Sequence, residues 1–111
     1  MDTHPVVQTF TIAITAATSD AKRVTGGVIV GLLMPAAFTG TTITFTASDT
    51  FGGTYGPVYD SDGNQVSLAV AASRRIGLSG TEADALSPWP FLKIVSGSNE
   101  AAERLVKITL R

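Results

Sequence analysis

Between Gln65 and Ala72 the chain reads QVSLAVAA, with Val66, Leu68 and Val70 at every second position. Side chains alternate across a strand with period two, so this pattern buries one face of a strand rather than one stripe of a helix. The preceding YGPVYDSDGN supplies a partner strand ending at Val58 and Tyr59 and a turn over Asp60–Asn64. Asp-Gly in that turn provides the positive φ of a tight reversal, because glycine has no Cβ to clash. The sequence therefore predicts one β-hairpin over Tyr55–Ala72. The same alternation recurs elsewhere. Val6–Ala17 places Phe10, Ile12, Ile14 and Ala16 on one face and threonines on the other; Thr41–Ser48 points Ile43, Phe45 and Ala47 inward. Val24–Met34 is apolar on both faces, with Val28, Val30, Leu32 and Met34 set against Ile29 and Leu33. This predicts a central strand, or one whose outer face meets a partner.

Thr18–Arg23 and Pro35–Gly40 read as loops, the latter with Phe38 beneath it, and Asp49–Gly56 reads as a third. Arg74–Leu78, Phe91–Val95 and Arg104–Arg111 complete the strands, with a loop over Ser96–Glu103. Only Ser79–Pro90 has helical character, over a single turn from Glu82 to Leu86. About eight short strands separated by turn residues specify an all-β chain: a single antiparallel β-sandwich, jelly-roll-like, spanning residues 1–111 with Met1–Pro5 as an arm.

At 111 residues there is room for one core. Eight Lys and Arg against nine Asp and Glu leave a net charge of −1, which argues against a protein held to nucleic acid through phosphates. Charged residues make up 15% of the chain, below the roughly 25% of an ordinary soluble domain. With mean hydropathy at +0.27, part of the surface is expected to be covered by a partner. The longest apolar run, Val28–Ala37, is interrupted by Gly31 and Pro35 and is too short to cross a membrane. MDTHPVVQTF lacks the basic and apolar regions of a signal peptide, so use without secretory export is expected. Cysteine is absent, which removes disulfides and thiolate metal sites.

Catalytic chemistry has little to draw on. His4 is the only histidine and lies in the arm, and no nucleophile turn of the G-x-S-x-G type occurs. Asp49, Asp60, Asp62, Glu82 and Asp84 are the available acid–base carboxylates, in loops that such residues keep soluble. Asp60-Ser61-Asp62-Gly63-Asn64 begins like a calcium loop, but its twelfth position falls on Ala71 instead of a bidentate acid. Turn chemistry accounts for the same residues. No catalytic residue, metal or cofactor is expected. Tyr55, Tyr59 and Trp89 are candidate aromatic contacts for glycan, set against the simpler reading that Trp89 caps the core between two prolines.

The segments GLLMPAAFTGTTITF (Gly31–Phe45), VYDSDGNQVSLAVAASRRIGL (Val58–Leu78), FLKIVSG (Phe91–Gly97) and the closing RLVKITLR occur in an order that resembles small proteins encoded among the capsid genes of tailed bacteriophages. The resemblance extends from about Thr9 to Arg111. It implies a head decoration, or cement, protein with a jelly-roll-like fold, bound to the outer surface of the virion shell. There it would reinforce joints between major capsid protein subunits, often as a homotrimer. It does not resemble the lambda-type decoration family, and it implies neither catalytic nor metal residues. Thr3, His4, Pro5, Val6 and Val7 are then expected to add a strand to a neighbour's sheet edge, and Ile29 and Leu33 to face a partner subunit. A tail or baseplate accessory that binds host glycan through the three aromatics is the alternative.

Overall fold

The computed structural model describes residues 6–24 and 28–110, with Val6 described in its backbone only. Within them are β1 (Val6–Ile12), β2 (Lys22–Arg23), β3 (Ile29–Leu33), β4 (Thr42–Ser48), β5 (Gly56–Pro57), β6 (Ser67–Ala69), β7 (Arg75–Gly77), α1 (Gly80–Leu86), β8 (Phe91–Ser96) and β9 (Arg104–Leu110). Two antiparallel sheets form an all-β sandwich. One, sheet A, has the order β1-β9-β3-β7; the other, sheet B, runs β2-β8-β4-β5, with β6 also on β4.

The alternation places Phe10 and Ile12 of β1, Leu32 of β3, and Val106 and Ile108 of β9 on the inner face of sheet A. They meet Ile43 and Phe45 of β4 and Leu92 and Ile94 of β8 in one continuous core, closed at one side by Leu86 of α1. The helix is two turns long rather than one. Ser79 and Glu82 form a reciprocal capping box that satisfies otherwise orphaned amides at its start.

Several expectations are corrected. The arms of the Tyr55–Ala72 hairpin do not pair mainly with each other. Pro57 and Gly56 lie opposite Thr46 and Ala47, and Ser67–Ala69 lie opposite Thr42–Thr44, so both arms add to the same edge of β4. Only Tyr59 and Gln65 bridge across the tip, beside a bond from the Val66 amide to the Val58 carbonyl. Valines 58, 66 and 70 find core partners through β4, which is what the alternation reported.

β1 stops at Ile12: Thr15 adopts φ 66°, and Ile14 is exposed rather than core. Lys22–Arg23, read as loop, is a short strand on β8. Of the strand expected over Val24–Met34, residues 25–27 lie outside the described residues; among those described, Ile29–Leu33 is strand, and a bulge between Ile29 and Gly31 reverses the phase of its first part. Ile29 is therefore 2% exposed and lies in the core instead of facing a partner, while Val28 is exposed.

Candidate functional site

The outer face of sheet A follows from the register. Val7, Thr109, Gly31 and Gly77 form one row across its four strands, and Thr9, Lys107, Leu33 and Arg75 form the next. Thr11 and Leu105 start a third. None of these ten positions carries a carboxylate. Val7 and Leu105 are 55% and 46% exposed, and Leu33 is half-buried. Arg75 and Lys107 form no ion pair among the described residues. Over the facing glycines lies a groove of about 300 Å³, walled by Leu33, Arg75 and Thr109. A second depression of about 360 Å³ adjoins it between Arg75, Leu105 and Lys107.

Negative charge gathers elsewhere. The tip Asp60–Asn64 lies against α1, and the clefts between them are lined by Asp60, Asp62, Glu82 and Asp84. Four of the nine acidic residues thus occupy one corner, so a net charge of −1 conceals a segregated surface. Asp60 closes its own turn: its Oδ1 accepts from the amides of Asp62 (2.9 Å) and Asn64 (3.0 Å), and Gly63 takes φ 85°. Among the described residues no three His, Cys, Asp or Glu side chains are grouped to hold a metal ion.

The three candidate glycan aromatics fare differently. Tyr59 and Trp89 are exposed, so Trp89 does not cap the core. Tyr55 is half-buried on the outer face of sheet B. Its hydroxyl donates to the Phe51 carbonyl at 2.7 Å, and the Lys93 ammonium sits 4.5 Å from its ring centroid, covering one face. Burial raises the Tyr55 phenol above its ordinary pKa. Phe51 packs edge-on against Phe91 beside this pair. Thr3, His4 and Pro5 lie outside the described residues; Val6 and Val7 open β1, with Val7 on the outer face of sheet A.

A buried carboxylate that sequence reasoning missed organises one end of the sandwich. Glu100, 1% exposed, accepts bonds from the Thr39 amide (3.0 Å), the Thr39 hydroxyl (3.0 Å), the Gly40 amide (3.1 Å), the Ser96 hydroxyl (3.3 Å) and Arg104 Nε (3.0 Å). Its backbone pairs with Thr15 and Ala16. Burial by itself pushes this carboxyl up. The donors from Thr39, Arg104 and Gly40 outweigh burial, and Glu100 titrates below its ordinary value. Five donors leave it no free face for acid–base chemistry, so its role is to join three loops. The available signal was the spacing of Arg104 four residues after Glu100, which follows Ser96-Gly97-Ser98-Asn99.

Among the described residues no helix is long and apolar enough to cross a membrane. Scanning family models and searching curated proteins and solved structures found no match to this chain.

Proposed function

We propose that this chain is a structural docking protein that binds the outer surface of a tailed-phage capsid and stabilises contacts between major capsid protein subunits. One observation carries the docking part: sheet A presents a face with uncovered apolar side chains, two cations and no carboxylate. A face of that composition suits burial against another protein. The capsid as the partner rests on the resemblance of the segments Gly31–Phe45 and Val58–Leu78 described above. The chain changes sheet at every connection except those from β4 to β5 and from β5 to β6. We read this winding as the jelly roll that the resemblance implies. Self-association, with a homotrimer as the expected form, belongs to the same reading.

The test is the copy number of this protein in purified particles against the major shell protein, by quantitative mass spectrometry. A near-stoichiometric ratio supports decoration, and absence from the particle refutes it. A handful of copies transfers the protein to the tail. That second reading is favoured by the exposure of Tyr59 and Trp89. A glycan array with no hits, or hits unchanged by Trp89→Ala, removes it.

A further inference from the structure

We propose that the groove on the outer face of sheet A receives the acidic hairpin tip of a second copy of this chain, in a head-to-tail contact. Tyr59 would lie over Gly31 and Gly77, and Asp60 and Asp62 would meet Arg75 and Lys107. This deepens the self-association part of the reading above and does not depend on the capsid.

Gly77 is the first observation. A Cβ added there meets nothing within 4 Å, and its φ lies outside the left-handed region, so neither space nor backbone conformation demands glycine. Gly77 ends β7, the edge strand of sheet A, and its lack of a side chain leaves the groove open at that end. Gly31 faces it directly, so the two together bare the floor of the groove.

Charge is the second. Arg75 and Lys107 flank this floor on a face without carboxylates, while Asp62 and Asp84 are exposed at one corner beside the half-buried Asp60. The third is the tip itself. It places an aromatic side chain, 54% exposed, directly before two carboxylates. Its turn is already fixed by the bonds to Asp60, so docking orders little that was free. Because donor and acceptor are different surfaces of one chain, the contact is heterologous. It closes into a ring or propagates according to its rotation.

Sedimentation velocity from micromolar to millimolar concentration tests this, with circular dichroism confirming that each variant is folded. The wild-type chain is expected to associate, more weakly at high salt. Gly77→Val, whose Cβ meets nothing within 4 Å, puts a side chain into the groove, and Tyr59→Ser empties the tip; each is expected to weaken association by at least about tenfold. Mixed together, the two variants are expected to form a one-to-one heterodimer, since each retains the surface that the other lacks. A wild-type chain that stays monomeric throughout, either variant associating as the wild type does, or a mixture that fails to pair overturns the proposal. Copy number in particles is unaffected by these outcomes, so failure here leaves the capsid reading to its own test.

Discussion

Replacing Glu100 with glutamine should destabilise the sandwich through the loops that its carboxylate joins. All five groups around the carboxylate are donors: two backbone amides, two hydroxyls and Arg104. Glutamine presents one acceptor oxygen and one NH₂. Whichever way the amide turns, it sets a donor against a backbone amide, at Thr39 or at Gly40. It also leaves the Arg104 guanidinium, 12% exposed, without a counter-charge. Removing one partner of a buried pair costs about 3–5 kcal/mol. That is a large share of the roughly 5–15 kcal/mol that holds a domain folded, and corresponds to a drop in Tm of roughly 10–30 °C. Arg104→Gln should cost less, about 1.5 kcal/mol, because Glu100 keeps four other donors. Urea unfolding followed by circular dichroism gives both values, with an unchanged m-value showing that the folded state is the same. A loss below about 1 kcal/mol for Glu100→Gln, or one no greater than for Arg104→Gln, would refute the view that the carboxylate ties the loops together.

Four further outcomes are expected. Glu100 has a folded-state pKa below its ordinary 4.5, so the unfolded chain binds more protons in the window beneath that value. Its stabilisation should be complete above pH 4.5 and fall away as pH drops through the folded pKa, a slope that acid titration of Glu100→Gln should lack. Gly40→Ala would drive a Cβ into the Ser96 hydroxyl and the buried Phe38 ring, at a cost of about 1–3 kcal/mol by urea unfolding. Gly56→Ala, with open space at its Cβ, should be near neutral in the same assay. Ser79→Ala removes the capping box of α1 and should lower stability by about 1 kcal/mol.

The strands were legible because alternation is a local property: Ile43 and Phe45, or Val66, Leu68 and Val70, declare their buried face without reference to any partner. Pairing is not local. The turn at Asp60–Gly63 predicted that its flanks would pair with each other, but a longer strand, β4, offered both flanks more bonds and a deeper core. The bulge at Val30 was equally hidden, since a one-residue insertion leaves composition untouched while exchanging Ile29 and Val28 between faces. Most of the Glu100 network was hidden for a related reason. Its donors Thr39 and Gly40 lie 61 and 60 positions away, and nothing in the loop Ser96–Glu103 announces them. The candidate docking face appears only once β1, β9, β3 and β7 are laid side by side.

The extruded tip separates two properties that are usually bound together. Thr42 and Thr46 lie four positions apart on β4, while Pro57 and Ala69 opposite them lie twelve positions apart, so eight additional residues leave the sheet and return without altering its register. The edge strand resumes where it stopped. Length and sequence between Val58 and Val66 are therefore free to vary as a cassette, changing what the molecule displays while the sandwich that carries it stays the same. A foreign peptide spliced into this position would inherit a rigid base at Tyr59 and Gln65, and the scaffold would be indifferent to its content.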